Sequence, residues 1–319
     1  MKTNMKTKIY DYDEVLQKDD KSYVKKIRVQ DCRDKLNDYH KNGYPLGESS
    51  GIKKLDDNFR WRYGFLYCFS GYPQSGKSEI LNWLMVLRAK LNGDKICMYS
   101  PEIDIHEHIT NLARAYLGKN VDIAFPDKCT NEEWESALDF IDEHFIFLEN
   151  GSEMPSITKL INAFEELAKE GYTAFTIDPL NWVYEGTQND NIYSYLKLTL
   201  TSLKQFAKLH EVFMIYVEHP KTPAIQAKTG KVPKATAYSL AGGTMHFNKC
   251  DVMVVMHKLD EDDVENLVAN GEILKKVLDN KENNIKFVQF ESVKIKSQRI
   301  NGTTGKVILK YNLITSRYI

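Results

Sequence analysis

One short segment of the chain has the residue types and spacing that bind nucleotide phosphates. The segment reads Gly71-Tyr72-Pro73-Gln74-Ser75-Gly76-Lys77-Ser78, which fits the phosphate-loop pattern of two spaced glycines followed by lysine and serine. In this pattern the glycines let backbone N–H groups turn towards the β-phosphate, the lysine pairs with the β and γ oxygens, and the serine ligates Mg²⁺. We therefore expect the segment to bind ATP, or another nucleoside triphosphate, with Mg²⁺.

A second ligand for the metal is expected at the end of another apolar run. Asp178 directly follows the run Ala174 to Ile177, and an aspartate in this position can complete the metal shell together with Ser78. The alternative is that Asp178 is only a turn residue before Pro179. The phosphate loop favours the metal-ligand interpretation.

Two further polar side chains follow apolar runs and could act on the γ-phosphate. Glu102 follows Lys95 to Tyr99 and is the candidate base that orients the attacking water. His219 follows Phe213 to Val217, where it could sense hydrolysis. Each has a plainer alternative, because Glu102 could be a helix N-terminal charge and a histidine at a strand end is usually structural.

These side chains need a scaffold that brings several strand ends together. From Phe65 onward short apolar runs alternate with amphipathic stretches, which predicts an α/β fold with a mostly parallel sheet covered by helices on both faces. The predicted strands are 65–70, 95–100, 145–148, 174–177, 213–217 and 252–256, and the predicted helices are 78–91, 105–117, 131–143, 157–169 and 192–209. Residues 286–297 and 306–311 predict a C-terminal β-hairpin around Asn301-Gly302.

Two segments are expected to lie outside this scaffold. Residues 1–46 are charged, with one helical stretch from Val29 to Tyr39, and predict an arm or linker; the motor domain then covers 47–319. Residues 258–284 are strongly charged and predict a solvent-exposed insertion.

The composition bounds the class of protein. The 319 residues are 42% hydrophobic and 27% charged, with a formal net charge of -1, so a surface that binds nucleic acid must be a local patch. No stretch reaches the roughly 18 apolar residues that span a bilayer, and residues 1–10 lack a signal-peptide core. We expect no membrane partner and a cytoplasmic protein, in a bacterium or a phage-infected host, or in an organellar matrix. Five widely spaced cysteines argue against a disulfide framework and a zinc site.

Together these residues resemble the hexameric replicative helicases of the DnaB and Twinkle type, including the helicase half of phage primase-helicases. The resemblance covers roughly residues 47–319. It is carried in order by 71–79, Ser100-Pro101-Glu102, Ile177-Asp178-Pro179, Glu218-His219-Pro220-Lys221, 240–251 and 299–305. It implies a RecA-like P-loop NTPase fold, with Glu102 as catalytic base and His219 as sensor of the γ-phosphate.

The resemblance also implies that each nucleotide lies between two subunits of a ring-shaped homo-oligomer, a hexamer in this family. Arg299 matches the arginine that a neighbouring subunit supplies to the transferring phosphoryl group; the alternative is an ordinary hairpin charge. The family usually has a lysine two residues before this arginine, where this chain has Ser297. Lys296 lies one step earlier, and whether it substitutes is open. A separate primase or a helicase loader is a further possible partner.

A loop after His219 is the predicted contact with single-stranded DNA. Residues 222–241 contain Lys228, Lys231 and Lys234, and the family's loops at this position grip the DNA backbone. The three lysines would equally suit an ordinary solvated loop.

The sequence thus predicts an ATP-dependent DNA helicase that translocates on single-stranded DNA and unwinds duplexes during replication. One alternative is a RecA-like ATPase that switches or assembles, as recombinases do, without unwinding. Another is an accessory DNA-binding protein that uses nucleotide only structurally, against which Glu102 and Arg299 argue.

Overall fold

The computed structural model describes residues 26–123, 128–151, 155–183, 192–221, 233–271 and 284–319. The chain divides into two compact units, Met1–Pro45 and Leu46–Ile319. Within the described ranges no helix is both long and apolar enough to cross a membrane.

The described part of the first unit is one helix, α1 (Val29–Asn42). Asp31 accepts a hydrogen bond from the Arg28 backbone N–H at 2.8 Å, which satisfies a free donor at the start of the helix. The helix ends at Gly43, whose φ of 82° suits a residue without Cβ. No residue of α1 is buried, although Val29, Cys32, Leu36 and Tyr39 follow helical spacing and form an apolar stripe.

The second unit is built on a nine-stranded sheet with the order β3-β2-β4-β5-β1-β6-β7-β8-β9. The first six strands pair in parallel, and β7 to β9 extend the sheet as an antiparallel ribbon. The strands are β1 (Leu66–Ser70), β2 (Ile96–Tyr99), β3 (Phe145–Leu148), β4 (Ala174–Ile177), β5 (Phe213–Glu218), β6 (Val252–Lys258), β7 (Ile285–Ile295), β8 (Gly305–Asn312) and β9 (Arg317–Tyr318). This mixed sheet confirms the predicted fold class.

The helices of this unit cover both faces of the sheet. They are α2 (Lys77–Asn92), α3 (Ile105–Leu117), α4 (Asn131–His144), α5 (Ile157–Lys169), α6 (Ile192–His210), α7 (Gly243–Lys249), α8 (Glu261–Ala269) and α9 (Gln298–Asn301), with short 3₁₀ turns at Lys53–Leu55 and Leu180–Trp182.

The core lies in two layers because successive strand residues point to opposite faces. On β1, Tyr67 and Phe69 join one cluster with Leu84 of α2, while Leu66 and Cys68 join the other with helices α5 and α6. All five residues of β1 are buried. Removing one such core side chain, as in Leu84→Ala, would cost about 2–5 kcal/mol.

The antiparallel ribbon contains one irregularity and a short helix. The register of β6 and β7 shifts between Met253 and Val254, so Val293 is an extra residue in β7. The connection between β7 and β8 contains α9, and its Thr303 N–H donates to the Asp57 carbonyl at 2.8 Å. The hairpin forms as predicted, but its connection is helical rather than a tight turn.

The segment 258–284 differs in part from a simple exposed insertion. Helix α8 begins at an Asp260 cap, whose carboxylate accepts the Asp263 N–H at 2.7 Å. Leu259 and Val264 are buried, so this first part packs on the domain. Residues 272–283 lie outside the described residues.

Candidate nucleotide-binding site

Four adjacent parallel strands deliver the predicted catalytic residues to one edge of the sheet. In the order β2-β4-β5-β1, the carboxyl ends of the strands lead into Glu102, Asp178, His219 and the phosphate loop. Because the strands are parallel and neighbouring, these residues converge, as ligand sites in open α/β sheets commonly do.

The phosphate loop joins β1 to α2 and depends on unusual backbone angles. Gly71 and Gly76 have φ values of 152° and 89°. A Cβ on Gly71 would lie 2.5 Å from the Met256 carbonyl oxygen, so only glycine fits there. Gln74 also has a positive φ, 62°. The turn leads directly into α2, so the free N–H groups of that helix point into the loop.

Lys77 lies across the loop that it is predicted to serve. Its Nζ donates to the Gly71 and Tyr72 carbonyl oxygens at 2.8 and 3.1 Å, and the residue is only 4% exposed. Burial lowers the pKa of Lys77, while Asp178 and other nearby carboxylates oppose that shift. The buried Ser75 hydroxyl has no hydrogen-bond partner among the described residues, which suits a loop that receives phosphate oxygens.

Ser78 and Asp178 form the candidate metal site. Burial raises the pKa of Asp178 to about 6, and a hydrogen bond with Ser78 and the charge of Lys77 oppose the shift. A hydroxyl and a carboxylate beside a phosphate loop fit Mg²⁺, which typically takes one or two carboxylates plus phosphate oxygens. In the described ranges no cluster of three or more His, Cys, Asp or Glu side chains could hold a metal without such help.

Glu102 and His219 lie near each other beside this metal site. Glu102 accepts a hydrogen bond from the Trp182 indole N–H at 2.7 Å, and its other oxygen is 3.9 Å from His219 Nε2. Burial and the charge of Lys77 lower the pKa of His219, while Glu102 raises it. The buried His219 Nδ1 has no hydrogen-bond partner in the described structure.

Three residues near the site were given no role by the sequence analysis. Trp182 holds the Glu102 carboxylate, Tyr318 reaches the phosphate loop, and Glu218 is a buried carboxyl group whose pKa burial raises to about 7. Only Glu218 had a local signal, because it ends an apolar strand beside His219. Trp182 and Tyr318 depend on tertiary packing between distant segments.

Arg299 and Lys296 lie in different environments. Arg299 lies on α9 and is exposed, and it is not part of the group formed by the phosphate loop, Asp178, Glu102 and His219. Lys296 pairs with the buried Asp251 carboxylate at 3.0 Å. The same carboxylate also pairs with Lys204 and accepts a hydrogen bond from the Leu66 N–H. Lys296 is therefore engaged within its own chain. Ser297 has a φ of 57° and caps α9.

Of the three predicted DNA-binding lysines, Lys228 and Lys231 lie outside the described residues. Lys234 is half-exposed and lies 3.7 Å from the Asp263 carboxylate, so it already has an acidic partner within the domain. The DNA contact stays a prediction for all three.

The described residues also form a groove that the sequence did not reveal. It has a volume of about 460 Å³ and lies between the start of α6, the end of β5 and α7. Its polar lining includes Lys197, Lys221, Lys249, Tyr193 and Tyr238, and no acidic residue is among the lining residues of the described chain. Tyr193 and Tyr238 are 57% and 64% exposed.

Comparison with known proteins agrees with this geometry. No protein-family model matches the chain. It is 28% identical over 246 residues to the Twinkle homolog protein, chloroplastic/mitochondrial, of Arabidopsis thaliana, across 72% of this chain and 33% of that protein. The chain therefore spans about a third of the length of this relative.

Two solved structures share the fold. One, described as an ATPase domain, superposes with a TM-score of 0.70 at 16% identity, covering 92% of this chain and 99% of that one. A DnaB-like replicative helicase, solved in work on its interactions with primase, gives 0.69 at 15% identity, over 92% and 68% of the two chains.

The sheet order and the phosphate loop define a P-loop ATPase domain of the RecA-like type. The chain is similar in sequence to a Twinkle homolog protein and in fold to a DnaB-like replicative helicase, which agrees with the resemblance seen in the sequence. The homology implies nucleoside triphosphate binding and hydrolysis.

Proposed function

We propose that the chain is the motor of an ATP-dependent DNA helicase, which translocates on single-stranded DNA and unwinds duplex DNA during replication. One observation carries the proposal: the phosphate loop, Asp178, Glu102 and His219 converge at one sheet edge, and the segment after His219 forms part of a basic groove.

The residues at the sheet edge can divide the work of hydrolysis between them. Lys77 would exchange its loop carbonyl partners for phosphate oxygens. Ser78 and Asp178 would hold Mg²⁺, which would supply positive charge to the phosphate oxygens. Glu102 accepts a proton from the attacking water, and Trp182 fixes its carboxylate in one orientation.

His219 is the residue that we propose to couple the nucleotide to the groove. It lies 3.9 Å from Glu102, and the next residue, Pro220, forms a backbone bridge with Leu240. The Lys221 N–H donates to the Ser239 carbonyl at 2.9 Å. A change at the γ-phosphate can therefore reach the groove through two residues of backbone.

The groove fits single-stranded DNA. Lysines pair with phosphates regardless of base, and exposed tyrosine rings offer faces on which bases stack. Lys197, Lys221 and Lys249 supply the charge, and Tyr193 and Tyr238 supply the rings. Lys228, Lys231 and Lys234 follow Lys221 in the sequence and remain proposed contacts.

A ring of identical subunits would complete each site. The exposed apolar stripe on α1 suits docking on a second copy of the chain, and the exposed Arg299 suits the neighbour's γ-phosphate. A hexamer, and a separate primase or loader as partner, are part of this proposal. We keep a cytoplasmic or organellar location as a prediction.

The decisive measurement is steady-state ATP hydrolysis with and without single-stranded DNA. We expect strong stimulation by DNA, and loss of all hydrolysis in Lys77→Ala, because this substitution removes the charge from the phosphate loop. Stimulation would then justify strand-displacement assays. Hydrolysis that is indifferent to DNA would instead support the switch-type ATPase.

A further inference from the structure

We propose that Tyr318 is a positioning residue for the phosphate loop, because its hydroxyl fixes the peptide plane that presents the Lys77 N–H to phosphate. This inference rests on the proposed nucleotide site and adds a residue far from that site in sequence.

The contact itself is short and buried. Tyr318 is 3% exposed, and its hydroxyl donates to the Gly76 carbonyl oxygen at 3.0 Å. The same oxygen accepts the Ile80 N–H at 3.0 Å, the first hydrogen bond of α2. The Gly76 carbonyl thus accepts two hydrogen bonds, one from Ile80 of α2 and one from Tyr318 of β9.

Because the peptide bond is planar, this contact also fixes the direction of the Lys77 N–H in the phosphate loop. The Gly76–Lys77 peptide is trans, so the Lys77 N–H points opposite to the Gly76 carbonyl. Two bonds to that carbonyl therefore direct the Lys77 N–H away from Tyr318 and into the loop. This N–H is one of the free donors at the start of α2, which are the groups that bind a phosphate.

The same hydroxyl explains why the position must be glycine. A Cβ on Gly76 would collide with the Tyr318 hydroxyl oxygen, while the ring carbon that carries the hydroxyl is 3.6 Å away. The φ of 89° also favours glycine. The absence of a side chain at Gly76 therefore leaves the space that the Tyr318 hydroxyl occupies.

Tyr318 is itself held firmly. The Trp83 indole N–H on α2 donates to the Tyr318 carbonyl at 3.0 Å. The adjacent Arg317 donates to the Ala115 carbonyl at 2.6 Å, and its guanidinium lies 5.1 Å from the Trp83 ring centre. Strand β9 is thus attached to α2, which begins at the phosphate loop, and to the C-terminal end of α3.

The test compares two tyrosines whose rings pack against each other. Tyr318→Phe removes the hydroxyl at the loop; Tyr311→Phe is the matched control, since its ring centre lies 4.7 Å from that of Tyr318. Binding of a fluorescent ATP analogue with Mg²⁺ and steady-state hydrolysis are measured for both variants. We expect Tyr318→Phe to raise Kd and KM about 3- to 10-fold with kcat nearly unchanged, and Tyr311→Phe to leave all three at wild-type values.

The outcomes separate this inference from the proposed function. Wild-type affinity in Tyr318→Phe, or equal weakening in both variants, overturns the positioning role alone. A wild-type chain that binds no nucleotide overturns both.

A second variant tests the space that the Tyr318 hydroxyl occupies at Gly76. Gly76→Ala should weaken nucleotide binding, and Tyr318→Phe added to it should recover part of the affinity, because the colliding hydroxyl is removed. A double variant at least as weak as Gly76→Ala would contradict the inference.

Discussion

At the residue scale, the buried carboxylate of Asp178 is needed for metal binding but lowers the free energy of unfolding. Its carboxylate must be ionised to hold Mg²⁺, yet burial raises its pKa from 3.8 to about 6. A raised carboxyl pKa means that the unfolded chain loses this proton at lower pH than the folded one. The cost to folding is therefore absent below about pH 4, grows up to about pH 6 and is constant above it.

We accordingly expect Asp178→Asn to abolish hydrolysis and to stabilise the fold. The raised pKa of Asp178 corresponds to a gain in the free energy of unfolding of at most about 3 kcal/mol at pH 7.5. This gain should vanish near pH 4. Denaturant unfolding of both proteins across this pH range measures it. Asp142→Asn, an exposed carboxylate on α4, is the control and should change stability by less than about 0.5 kcal/mol. An equal gain at pH 4 and 7.5 would contradict the burial argument.

The candidate site could be predicted from the sequence only where a residue carries a local signal. Asp178, Glu102 and His219 each follow an apolar run, and parallel strands bring such positions together. Trp182 and Tyr318 carry no such signal, because their partners Glu102 and Gly76 are set by packing across distant segments.

At the scale of elements, the helices and strands that could be predicted are those whose apolar residues form a clear run or show a clear period. Helices α3 (Ile105–Leu117) and α5 (Ile157–Lys169) have the predicted bounds, because their apolar residues recur at helical spacing over several turns. The short elements α7, α9 and β9 were not predicted. Seven, four and two residues are too few to establish a period, and tertiary contacts fix them instead.

Helix α6 permits a test of the groove. Lys197→Glu reverses one charge in the groove lining. Lys208→Glu is the control, because it reverses a charge on the same helix at a residue that does not line the groove. We expect Lys197→Glu to weaken single-stranded DNA binding about 5- to 10-fold and to reduce the slope of log affinity against log salt by about 0.7 or more. Fluorescence anisotropy at several salt concentrations measures both. Equal losses in the two variants would show that net charge, rather than the groove, determines binding.

At the scale of the whole molecule, the proposed ring makes each site depend on two chains. Arg299→Ala should leave nucleotide binding nearly intact and reduce hydrolysis by a factor on the order of a thousand, because the finger acts on charge in the transition state. Lys286→Ala, which removes an exposed cation from β7 of the same ribbon, should have little effect. Near-normal turnover in Arg299→Ala would remove this residue from the active site.

Mixing Arg299→Ala with Lys77→Ala protein extends that experiment to the assembly. Each variant alone lacks one half of every site, whereas a mixed ring contains some sites with both halves. Partial recovery of hydrolysis requires sites shared between subunits. Size-exclusion chromatography with light scattering, run on the same mixtures, shows whether the two proteins co-assemble.

The antiparallel ribbon gives such a ring a mechanical property. Strand β8 pairs with β9, and so with the Tyr318 contact on the phosphate loop, at one end, while its other end adjoins α9 and Arg299. Its eight residues span roughly 25 Å of stiff, hydrogen-bonded backbone. In the proposed ring, a single strand would link the nucleotide held by one subunit to the finger reaching the next. The phosphate loop of one subunit and the position of the finger at the next site would then both depend on the pairing of this strand.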